Sequence, residues 1–141
     1  MTTPLHHTKP TAAPSGRDTG SVAVELAVLA PLALILLLTV LQAGLWWHTR
    51  TLCHSAAQQG VQAARTVSGT TGDAHTAATN FLNRAGGLVG DPVVSATVDA
   101  RQVRVQVAAT APRILPIPGL DRVEQEARAA KERFTAPGEV P

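Results

Sequence analysis

Glu25 stands at the edge of a long apolar run, five residues after Gly20, and is the sole charge between that glycine and the run. A carboxylate inside a bilayer costs up to about 3 kcal/mol at mid-depth on insertion scales and less near the surface, so it needs a physical reason. It can complement the positive end of a helix dipole. The remaining reactive side chains give no constellation. Cys53 and His54 are adjacent, so on a helix they point about 100° apart and cannot act as nucleophile and base. His48, His54 and His75 lack the spacing of metal ligands, and His6 and His7 lie in a polar N-terminal segment. No Gly-rich phosphate loop is present. Catalytic residues, a cofactor site and a metal site are therefore not expected.

The element that positions Glu25 is the apolar run itself. Leu26 to Trp47 are 22 consecutive residues without a charge, about 33 Å of helix at about 1.5 Å per residue, which matches a bilayer's hydrocarbon thickness. A buried core helix in a chain of 141 residues has no use for such all-round apolarity. The run is too long for the h-region of a secretory signal, and no small-x-small cleavage site follows it. Trp46 and Trp47 close it where an aromatic belt belongs. Residues 21–47 are thus expected to form a transmembrane helix, bent near its start by Pro31. Residues 1–20 are polar, rich in Thr, Pro and His, and without periodicity, a leader expected to be disordered.

Gly20-Ser21-Val22-Ala23-Val24-Glu25 resembles a type IV prepilin cleavage site. The resemblance implies cutting after Gly20 by a membrane peptidase, and a Glu25 that pairs with the new amino terminus of a neighbouring subunit. Two opposite charges attract strongly at low dielectric, and neither is tolerated there alone. Val24-Glu25-Leu26-Ala27 with Pro31 and Leu32, and the later Ala56-Ala57-Gln58-Gln59-Gly60-Val61-Gln62-Ala63-Ala64-Arg65, are similar to the TadE-like family of tight-adherence (Flp) pilus assembly proteins. The likeness covers about residues 17–66, with Gln59 standing where the family often has an acid. It implies a minor pilin or pseudopilin, a single-pass bacterial membrane protein with a cytoplasmic N-terminus. Its partners would be the lipid bilayer, a prepilin peptidase, and other pilins or Tad assembly proteins. The alternative is an uncleaved bitopic scaffold that binds envelope proteins.

The rest of the chain must be small and thinly packed. Four aromatic residues (Trp46, Trp47, Phe81 and Phe134) and no Tyr leave a core of Val, Ala and Leu, marginal by itself. A net charge of +2 with scattered arginines gives no support for nucleic-acid binding. The single Cys53 excludes an internal disulfide and reads as a small apolar residue on a helix face.

The fold class expected is α+β: the long N-terminal helix continuing over residues 48–68, then a small domain over 69–136 and a disordered tail at 137–141. Leu52, Ala56, Ala63, Ala64 and Val67 form a helical stripe. Asp73 is a plausible N-cap for a helix over 74–85, whose apolar face is Ala74, Ala77, Ala78, Phe81, Leu82 and Ala85. Val94, Ala96 and Val98, then Val103, Val105, Val107 and Ala109, alternate with polar residues across Asp99-Ala100-Arg101, the pattern of a hairpin. Residues 122–134 fit both a helix, through Glu124–Arg128 and Arg128–Glu132 pairs, and a strand. The unpaired hairpin and the TadE-like resemblance favour a third strand.

Overall fold

The computed structural model describes residues 18–115, 119 and 121–133. Most of the expected leader (1–17), Phe134 and the expected tail lie outside these residues. The element order is α1 (Asp18–Ala64), α2 (Thr71–Arg84), β1 (Gly90–Val98), β2 (Gln102–Thr110) and β3 (Arg122–Ala130), so the α+β reading holds. The chain divides into two units between Leu36 and Leu37.

In the first unit, α1 opens at Asp18, so residues 18–20 are helical where a disordered leader was expected. Its side chains from Val22 to Leu36 are exposed, Val24 by 67% and Leu36 by 66%. Side chains of this kind need lipid or another protein around them. α1 continues through Pro31. It is the one described helix long and apolar enough to cross a membrane, as a single-pass membrane protein requires.

In the second unit, the three strands form an antiparallel sheet in the order β1-β2-β3. The alternation in β2 fixes which face turns inward: Val103, Val105 and Val107 are fully buried and Ala109 nearly so. Val105 sits between Ala96 on β1 and Ala127 on β3. Inward residues of all three strands thereby meet the buried face of α1, formed by Cys53, Ala56, Ala57, Val61 and Ala64. The outward face is polar, with Glu126 bound to Gln106 at 2.9 Å, to Arg104 at 3.4 Å and to Arg128. These partners, Arg128 first, hold the Glu126 carboxyl below the ordinary carboxylate range.

Several boundaries differ from expectation for local reasons. Ala56 and Ala64 of the expected helical stripe are buried, Cys53, Ala57 and Val61 join them, and Val67 is 50% exposed because α1 ends at Ala64. The chain folds back tightly over that end, and a Cβ on Gly69 would collide with the Ala64 carbonyl. The N-cap of α2 is Thr70, not Asp73. Thr70 Oγ1 accepts from Asp73 N at 3.2 Å and the Asp73 carboxylate accepts from Thr70 N at 3.0 Å, a reciprocal capping box. These bonds, led by the Thr70 hydroxyl, lower the Asp73 pKa. β1 starts earlier than expected, at Gly90, with a register shift before Val93; Pro92 falls inside that shift, where a missing N–H breaks no ladder bond.

Residues 122–130 form the third strand. β2 already offers a row of unpaired backbone groups, and pairing Val103 with Ala129 and Ala109 with Val123 satisfies them. The end of β3 is tied to the end of α1: Glu132 N donates to Arg65 O at 2.8 Å, and Arg65 pairs with Glu132 at 3.1 Å.

Candidate functional site

The residues singled out in sequence lie in the first turns of α1. Gly20 and Ser21 are helical, and Glu25 is an exposed position among exposed valines and leucines. Among the described residues Glu25 makes no ion pair. Pro31 lies six residues further on, inside the same helix. The structure thus places the exposed Glu25 carboxylate one and a half helical turns after Gly20, on an otherwise apolar stretch of α1.

A second polar feature of α1 was not anticipated. Gln42 is 5% exposed, and its amide holds the connection between β2 and β3. Its Oε1 accepts from the backbone N–H of Ile114 at 2.8 Å and of Leu115 at 3.3 Å, and its Nε2 donates to Pro112 O at 3.2 Å. Two turns later Thr49, fully buried, donates to Leu45 O at 3.0 Å and lies 3.3 Å from Leu88 O. The only sequence signal for Gln42 is that it is the one amide in the apolar run; its partners lie some seventy residues away. Packing against the domain therefore begins at Gln42, within the stretch expected to face lipid up to Trp47. Beyond it Arg50 lies over both indole rings, 5.6 Å from Trp46 and 5.7 Å from Trp47, a cation–π arrangement.

The other candidates separate. Cys53 is fully buried, and burial pushes its thiol pKa up, the opposite of what a nucleophile needs. His54 is exposed and bonds Gln58 at 3.3 Å. No group of three or more His, Cys, Asp or Glu side chains gathers as metal ligands among the described residues. Gln59 is exposed.

A family model described as TadE-like protein matches residues 20–62. The segment that carries Gly20, Glu25 and Gln42 is TadE-like. The match begins at Gly20 and ends at Gln62, so it takes in all of the apolar run and most of the buried face of α1. The likeness to that family is confined to this segment of the chain. No curated protein and no solved structure matches the chain.

Proposed function

We propose that this chain is a minor pilin or pseudopilin of a Tad/Flp-type pilus or related secretion machine, with a structural rather than enzymatic role. In this reading it is inserted with its N-terminus in the cytoplasm and cut after Gly20 by a prepilin peptidase. The observation that carries the proposal is Glu25: an exposed carboxylate on an otherwise apolar helix, five residues past Gly20, inside the TadE-like segment. Cutting creates an ammonium at Ser21, and a neighbouring subunit's Glu25 neutralises it inside lipid. Lys9 and Arg17 in the leader favour the cytoplasmic side.

One observation favours the alternative of an uncleaved bitopic scaffold. α1 opens at Asp18, so the Gly20–Ser21 bond is helical and must unwind before a peptidase can hold it extended. The mass of the membrane-extracted protein separates the two readings: a mature chain starting at Ser21 supports the pilin, an intact leader the scaffold. Gly20→Val is expected to block maturation while insertion persists. Glu25→Gln is nearly isosteric, so packing is preserved. It strands the neighbour's amine, and losing one partner of a buried pair costs roughly 3–5 kcal/mol. Correct cutting with loss of pilus partners on co-purification is the expected result; full partner recovery removes the pairing mechanism.

A further inference from the structure

We propose that the free edge of β3 docks an extended segment of another protein, which joins the sheet as a fourth strand and places a carboxylate in the groove between β3 and α1. The inference does not depend on whether the chain is cut after Gly20. It starts from the ladder between β2 and β3. Ala111 N donates to Asp121 O at 2.7 Å, and Lys131 N donates to Arg101 O at 3.0 Å. Bonded pairs in an antiparallel ladder recur at every second residue. Between these two limits the N–H and C=O groups of Val123, Gln125, Ala127 and Ala129 therefore turn toward β2, and those of Glu124, Glu126 and Arg128 turn away from it. Among the described residues nothing bonds the N–H groups of these three. The Glu124 carbonyl accepts from the neighbouring Gln125 amide, a local bond that an incoming strand replaces. The other edge of the sheet is different. β1 carries Pro92 and a register shift before Val93, and α2 lies against it, all devices that blunt an edge. β3 runs for nine residues, Arg122–Ala130, without proline, glycine or bulge.

Beside that edge lies a groove of about 250 Å³ between Gln125 and one flank of α1, formed by Trp47, Arg50, Thr51 and His54. These four recur at the spacing of neighbouring helical turns. Side chains in a strand alternate between faces, so a residue added opposite Gln125 points into this groove. Its two neighbours point to the outer face, beside Glu124 and Glu126. The groove selects charge. Arg50 lies over both indoles and makes no ion pair among the described residues. No carboxylate lines the groove, and an Asp or Glu opposite Gln125 supplies one, with the exposed Trp47 ring as its apolar wall. On the outer face Glu124 makes no ion pair among the described residues, so a Lys or Arg next along the added strand meets it. A second copy of β3 does not supply these charges. Antiparallel pairing centred on Gln125 sets Arg122 opposite Arg128 and Glu124 opposite Glu126, and like charges directly opposite destabilise a strand pair.

The test uses the full chain in detergent and the capped peptide Thr-Val-Thr-Glu-Lys-Val-Thr. As an antiparallel strand this peptide sets its Glu opposite Gln125 and its Lys opposite Glu124. Amide hydrogen exchange is followed residue by residue by nuclear magnetic resonance. At about 1 mM peptide the amides of Glu124, Glu126 and Arg128 should slow at least about threefold, as a Kd of about 0.5 mM gives. The amides of Val123, Gln125 and Ala127, already in the ladder, should change little. Emission from Trp46 and Trp47, the two indoles of the chain, should shift as the groove fills. A peptide with Lys in place of its Glu should bind about fivefold more weakly, and so should the original peptide to Arg50→Gln, the loss of one ion pair. A peptide N-methylated on its Lys and on the Thr before its Glu cannot donate to β3 and should not bind. Unchanged exchange of the three amides overturns the docking edge. Equal binding of the N-methylated peptide overturns strand pairing, and equal binding to Arg50→Gln overturns the role of the groove. If the three amides are already slow in the free protein and it sediments as a dimer, a second copy holds the edge and the proposal also falls.

Discussion

Gly60 lies where α1, α2 and β2 come closest, and replacing it measures how tight that crossing is. A Cβ at this position would lie 2.8 Å from the Ala74 carbonyl oxygen, 3.1 Å from Val105 Cγ1 and 3.3 Å from Ala78 Cβ. The first contact is with backbone, which cannot rotate away. Gly60→Ala gains about 1 kcal/mol of helix propensity and loses about 1–3 kcal/mol to overpacking, leaving the fold weakened by about 1 kcal/mol. Gly44→Ala is the control, because nothing lies within 4 Å of a Cβ there, so it keeps the propensity gain alone. Cys53, fully buried in the same core, reports opening of the domain through the rate at which its thiol is labelled as the detergent-solubilised protein is heated. A loss of about 1 kcal/mol lowers the midpoint by about 4–8 °C in a domain of this size. Gly60→Val should fall further, since each added methyl enters the same wall. If Gly60→Ala and Gly44→Ala shift the midpoint alike, the close crossing is refuted.

Thr70→Ala removes the hydroxyl that Asp73 N donates to. It should destabilise the domain by about 1 kcal/mol, read in the same thiol-exposure melt. Asp73 has a folded-state pKa below its ordinary value because the Thr70 hydroxyl and amide bind its charged form. Its contribution is therefore fully present above the unfolded value of about 3.9 and is lost as pH falls through the folded value. A pH series of melts should show that acid loss in the native chain and a reduced one in Asp73→Asn. Cys53 itself should resist maleimide and disulfide reagents in the folded state, its thiol being buried and raised in pKa; rapid labelling of native protein would contradict the burial.

The sheet was legible where one pattern ran without a competitor. The alternation of Val103, Val105 and Val107 with polar residues admits no helical reading, and those side chains are the core. Arg122–Ala130 carried both periods, and only its partner strand decides between them: Ala127 has to face Val105. The apolar run was legible from its length and composition, but its outer limit was not. Gln42 looks like one polar residue among leucines until Pro112, Ile114 and Leu115 arrive from far along the chain. The cap of α2 was misplaced by three residues because Thr70 and Asp73 are both good caps; the box uses both, with Thr70 outermost. Gly20 and Glu25 stood out in sequence through their place at the boundary of the run, and the structure adds that Glu25 is exposed, with no ion pair among the described residues.

The last six turns of α1 are also the floor of the sheet. Gln42, Thr49 and the face from Cys53 to Ala64 carry the β2–β3 connection, the Leu88 carbonyl and the inner strand residues directly, and Arg65 is fastened to Glu132 just past the end. No slack linker joins this helical stretch to the strands. A tug or a twist on it is delivered to the sheet at once, and a load on the sheet returns by the same route. A fragment that begins after Trp47 keeps all three strands and the core but loses the Gln42 clamp on the β2–β3 connection.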